Sequence, residues 1–75
     1  MKRAKRERLI YTEHAREQMY DRGISEAEVE ACWNNHHTTY TDKKGNPIYI
    51  ADVQDRRIKI IVKKQNTRVV ITAAD

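Results

Sequence analysis

Three histidines, one cysteine, a group of cations and five aromatic side chains are the residues whose chemistry could matter here. Cys32, His36 and His37 lie close together, in the spacing C-x3-H-H. A structural zinc site needs four ligands at tighter and better-known spacings, and here the fourth is missing unless His14 reaches it. The expectation is therefore no metal and no cofactor: Cys32 packs inside, and His36 and His37 sit on the surface. The cations are more suggestive. Residues 1–8 hold five basic side chains against one acidic one. Residues 9–42 hold two basic against seven acidic, and residues 43–68 hold eight basic against two acidic. Clustered Lys and Arg attract nucleic acid through counterion release, although the same charges also keep a small sheet soluble and blunt its edges. Trp33, Tyr11, Tyr20, Tyr40 and Tyr49 could stack nucleobases, but in so small a chain they could equally serve as core and edge packing.

The elements that must position these residues follow from pattern. Thr12 is a helix N-cap, Ala15 and Met19 share a face four residues apart, and Gly23 supplies a left-handed stop. Ser25-Glu26-Ala27-Glu28 fits a capping box, with Ile24 and Val29 at staple spacing. Val29, Cys32 and Trp33 continue that stripe until Asn34-Asn35. From Thr38 onward the spacing changes to that of strands. Thr38 to Thr41, Ile48 to Ala51, Ile58 to Lys63 and Arg68 to Ala73 are separated by turns at residues 43–47, 52–56 and 65–66. Leu9-Ile10-Tyr11 reads as a short strand or a lead-in segment. Tyr40 and Tyr49 flank the hairpin and could be cross-strand partners. The inward face of the last strand is ambiguous, because Val69, Val70 and Ile71 are all apolar. Two N-terminal helices packed on a three- to four-stranded antiparallel sheet is an α+β layer architecture. The acidic helices would cover one sheet face and leave Lys59 and Lys63 on the other.

Length and composition set limits. With 75 residues, 1–8 read as a basic N-terminal arm and 9–75 as a single α+β domain. The longest apolar run is far short of the roughly 20 residues that a membrane helix needs. With no apolar stretch behind the basic start and one cysteine, the reading is a cytoplasmic protein, a monomer or homodimer without membrane contact. Mean hydropathy is −0.93, yet the apolar residues are patterned, which favours a folded domain over a disordered chain. The helix, Gly23, helix order also invites a helix-turn-helix reading. Glu26, Glu28 and Glu30 argue against it, because phosphates would repel them in a groove.

The segment His14-Ala15-Arg16-Glu17-Gln18-Met19-Tyr20-Asp21-Arg22-Gly23-Ile24-Ser25, followed by Val29, resembles an uncharacterised family of small prokaryotic domains of unknown function. That family opens with His-Ala, continues through Met to Arg-Gly-Ile, and carries Val-Ile-Thr in its last strand, here Val70-Ile71-Thr72. The order of elements is similar to the RelE/ParE-like toxin fold. The resemblance implies His14, Arg22 and Thr72 as candidate catalytic residues, and a metal-independent endoribonuclease as the enzyme, if there is one. Its implied partners are RNA or the ribosome and an antitoxin-like protein.

In that chemistry His14 would take or give a proton near neutral pH, Arg22 would clamp a phosphate, and Thr72 would donate to a phosphate oxygen. Arg57, Lys59, Lys63 and Arg68 are the candidate nucleic-acid contacts. On an ideal helix His14 and Arg22 are about 12 Å apart along the axis, so one extended ligand could meet both although they would not touch. Two readings stand side by side. One is a small RNA-binding, toxin-like protein; the other is a non-catalytic protein-interaction module using the acidic helices or a strand edge.

Overall fold

A computed structural model describes residues 8–75, and residues 1–7 of the expected basic arm lie outside the described residues. Thr12 starts α1 (Glu13–Arg22) by accepting the Ala15 N–H on its side chain at 3.0 Å. Gly23, at φ +66°, ends it in the left-handed conformation that a side chain would strain. The Ile24 N–H then returns to the Met19 carbonyl at 2.8 Å. α2 (Glu26–Asn35) begins with the expected capping box. The Glu28 N–H donates to Ser25 Oγ at 3.1 Å, and the Ser25 N–H donates to Glu28 Oε1 at 2.9 Å.

The sheet is larger than expected. β1 (Ile10–Tyr11), β2 (Thr38–Thr41), β3 (Pro47–Val53), β4 (Arg56–Lys63) and β5 (Asn66–Ala74) form five strands in the order β1-β5-β4-β3-β2. It is also mixed rather than antiparallel throughout. β1 runs parallel to β5, with Ile10 opposite Val69 and Tyr11 opposite Val70. The Thr12 N–H continues this ladder to the Val70 carbonyl at 3.1 Å, so the helix cap and the extra strand are one structure. The other pairs are antiparallel.

Both helices lie on one face. α1 packs mainly on β5, and α2 on β3 and β4. Ala15, Met19, Val29 and Cys32 meet Ala51, Ile58, Ile60, Val62, Val70 and Ala73 in the core. Burial pushes the Cys32 thiol up to about 11, so it stays protonated, with Sγ 3.5 Å from each of the Tyr49 and Ile58 carbonyls. A register shift opposite Ile61, Val62 and Lys63 resolves the ambiguity of β5. The irregularity breaks two-residue alternation, so the buried residues Val70 and Ala73 are three apart.

The β3–β4 turn is tighter than the sequence suggested. Gln54 and Asp55 both take positive φ, the backbone of a two-residue turn between Val53 and Arg56. The pairing expected between Tyr40 and Tyr49 is not made. Tyr40 lies opposite Ile48, and Tyr49 opposite Thr39, so the two rings stand on opposite faces of the sheet.

The open face of the sheet as a candidate nucleic-acid interface

Along β4 the side chains alternate between burial and exposure. Ile58, Ile60 and Val62 point under the helices, while Arg57, Lys59, Ile61 and Lys63 point away. The register carries this open face across the sheet. Tyr40, Ile48, Ile61 and Thr72 form one cross-strand row. Thr38, Ile50, Lys59 and Ala74 form the next. Asp52 and Arg57 start a third, with Arg57 Nε donating to Asp52 Oδ1 at 3.1 Å. His37, just before β2, reaches the same carboxylate, with Nε2 3.5 Å from Asp52 Oδ2.

Three of the four expected nucleic-acid contacts thus share one stripe. Residues two apart on a strand are about 6.7 Å apart, so Arg57 to Lys63 spans roughly 20 Å. Lys59 and Lys63 make no ion pair among the described residues, whereas Arg57 is tied to Asp52. That tie, with His37 alongside, holds the Asp52 carboxyl below the usual carboxylate range and keeps it charged. Arg68 is not on the stripe. It lies in the irregular start of β5, half-buried, with its N–H on Asn66 Oδ1 at 3.2 Å.

The residues implied by the resemblance are divided between faces. Thr72 stands on the open face, opposite Ile61. His14 is exposed on α1, beside the buried Ala15. Arg22 ends α1 and lies 3.6 Å from Asp75. Among the described residues no hydrogen bond or ion pair joins His14, Arg22 and Thr72 to one another.

Arg22 belongs instead to a structural cluster around Arg56. The Arg56 guanidinium donates to the Arg22 and Gly23 carbonyls at 2.6 and 3.0 Å, which caps the α1 C-terminus. It also meets Asp75 Oδ2 at 2.6 Å and Glu28 Oε2 at 3.3 Å. The Asp75 carboxyl is lowered chiefly by its hydrogen bond from Arg56. The Glu28 carboxyl is lowered first by the Ser25 N–H and then by Arg56.

Most aromatic side chains serve the covered face. Trp33 Nε1–H donates to the Thr67 carbonyl at 2.8 Å. His36 stacks on Tyr49 with ring centroids 4.0 Å apart. Arg16 lies over the Tyr11 ring, 4.9 Å from its centroid. The Tyr11 hydroxyl is buried without a partner, and burial, with Glu26 and Glu30 nearby, pushes it up to about 12. On the open face Tyr40 is 59% exposed, an uncovered ring available to a ligand.

Sequence reasoning missed Asp52, the reach of His37 and the placement of Tyr40. A signal for the first was available. Placing the turn at Gln54-Asp55 sets Asp52 opposite Arg57 by counting outward.

Fold and face together define a small α+β domain whose two helices cover one side of a mixed five-stranded sheet and leave a cationic side open. Residues 11–75 match the model of DUF4258, a domain of unknown function, and the chain belongs to that family. No curated protein and no solved structure matches the chain. No helix among the described residues is long and apolar enough to cross a membrane.

Proposed function

We propose that this protein binds single-stranded RNA across the open face of its sheet. The carrying observation is the stripe of Arg57, Lys59 and Lys63, with Tyr40 exposed two strands away on the same face. Phosphates would follow the cations along β4, and a base would stack on Tyr40, the combination that single-strand binding surfaces use. Ile48 and Ile50 of β3 lie between them and offer apolar contact. The RelE/ParE-like ancestry and the antitoxin-like partner belong to this proposal as its finer part, supported by the order of helices and strands.

The test is fluorescence anisotropy of a labelled 20-nucleotide single strand against the full chain across a salt series. Binding should weaken with salt at a slope of about −0.7 for each phosphate neutralised. Lys59→Ala and Lys63→Ala should each reduce that slope by about 0.7. Absent binding, or a slope that ignores both substitutions, would sink the reading.

One observation favours a second reading, a protein-interaction module. β2 lies at the edge of the sheet and carries only Thr, Thr, Tyr and Thr, with neither a charge nor a proline to blunt it. A partner strand could extend the sheet there. Substituting Thr39→Pro would remove an edge partner while leaving the cationic stripe in place.

A further inference from the structure

Metal-free RNA cleavage needs a proton acceptor beside the 2′-hydroxyl, and that acceptor must share a face with the bound strand. The chain has three histidines. His14 belongs to α1 in the helix layer, and His36 lies against Tyr49 on the covered side. His37 alone joins the open face, through its contact with Asp52.

Its surroundings suit a base. Nε2 is 3.5 Å from Asp52 Oδ2, and Nδ1 is 2.6 Å from Thr38 Oγ1. With the proton on Nε2 and directed to the carboxylate, Nδ1 keeps its lone pair and accepts from the Thr38 hydroxyl. Asp52 is itself held by Arg57, whose Nε is 3.1 Å away. The charged groups facing His37 are therefore Asp52 of β3 and, behind it, Arg57 of β4. Lys59 stands in the adjacent row, with Thr38 and Ile50.

We infer that His37, oriented by Asp52, is the general base of a metal-independent RNA cleavage site on the open face. This inference rests on the RNA-binding reading above. The 2′-hydroxyl proton passes to the Thr38 oxygen as the Thr38 proton passes to His37 Nδ1. The freed 2′-oxygen attacks phosphorus, and the bond from phosphorus to the 5′-oxygen breaks. Water gives a proton to that oxygen, and the hydroxide left behind takes the extra proton from His37. The products are a 2′,3′-cyclic phosphate and a 5′-hydroxyl end, with no change of oxidation state. Arg57 and Lys59 supply positive charge for the phosphate as negative charge gathers on its oxygens. His37 is the catalytic residue and Asp52 a positioning residue.

The experiment incubates an end-labelled 20-nucleotide single strand with the full chain in EDTA. Cleavage, binding and the urea midpoint are followed in parallel. Wild type should produce cyclic-phosphate ends. His37→Gln should slow cleavage by about 100-fold or more with binding and midpoint retained, the range expected for loss of a general base. Asp52→Asn should slow it less, lowering the rate at saturating RNA while binding and the urea midpoint stay as in wild type. A merely structural Asp52 would lower the urea midpoint and leave the saturated rate of the folded protein unchanged.

RNA bound by wild type but never cut would overturn the inference and leave the binding reading intact. Cleavage lost in His14→Ala but kept in His37→Gln would overturn it in favour of the helix residue. Absent binding would overturn both.

Discussion

The two faces of β4 are built from one strand and meet opposite demands. Ile58, Ile60 and Val62 are fully buried beneath α1 and α2, in a core where each side chain fits its neighbours. Arg57, Lys59, Ile61 and Lys63 stand on the other side, with no helix above them. Strand alternation along β4 lets the sequence vary one set without disturbing the other, because successive side chains there point to opposite faces. The covered face therefore carries stability, and the open face is free to carry ligand contacts. Asp52 shows the contrast at a single residue: it follows the buried Ala51 and is exposed beside Arg57 and His37.

Neighbouring isoleucines offer the severest test of this division. Ile60→Ala removes a fully buried side chain and should destabilise the protein by about 2–5 kcal/mol in urea unfolding. Ile61→Ala removes one only partly withdrawn from water and should cost about 1 kcal/mol or less. Equal losses would break the comparison and mean that something covers the open face in solution, most simply a second copy.

Acid should act mainly through the helix end of the molecule. Glu28 and Asp75 have folded pKa values below their unfolded ones, so their contribution is fully present above about pH 4, the unfolded value. It is lost as pH falls through the lower folded values, because the unfolded state then binds more protons. The urea midpoint should hold between pH 7 and about 5 and decline below about 4. Arg56→Ala should lower the midpoint at neutral pH and flatten that decline. A decline as steep as that of wild type would place the acid-sensitive groups elsewhere, with Asp52 and Asp42 next in line.

Much of this layering was legible in the sequence. The caps at Thr12 and Ser25, the stop at Gly23 and the alternation of Ile58, Ile60 and Val62 are local signals, and the structure keeps each of them. The rest depended on contacts between distant residues. The short strand Ile10–Tyr11 was one of two readings of that segment, but its parallel partner lies 59 residues away and nothing local points to it. The pairing of Tyr40 turned on register, which a shift of one residue would reverse. The irregularity in β5 changed the phase of burial within an apolar run where every phase looked acceptable. For the site, the cations could be grouped by alternation alone. The distance from His37 to Asp52 spans two elements and needed the pairing of β2 with β3.

The smaller effects sharpen the picture. Ser25→Ala removes the hydroxyl that accepts the Glu28 N–H and should cost about 1 kcal/mol, read as a lower urea midpoint. Lys59→Ala should leave the midpoint where it is and change only the proposed RNA binding and its salt dependence. A stability loss there would mean that the open face is also part of what holds the fold.

The parallel pairing of β1 with β5 also has a bearing on the order in which the molecule is assembled. α1 rests on β5 and is anchored through Thr12 to the carbonyls of Val70 and Ile71. α1 therefore leaves the ribosome with no docking surface until β5 has been synthesised. α2 and the hairpins of β2, β3 and β4 can gather earlier, while the segment through α1 waits as an unattached helix. Closing so long a loop is slow relative to forming local hairpins. Folding of this domain should thus end, rather than begin, with α1, and a nascent chain stalled before Asn66 should leave that helix open to proteolysis.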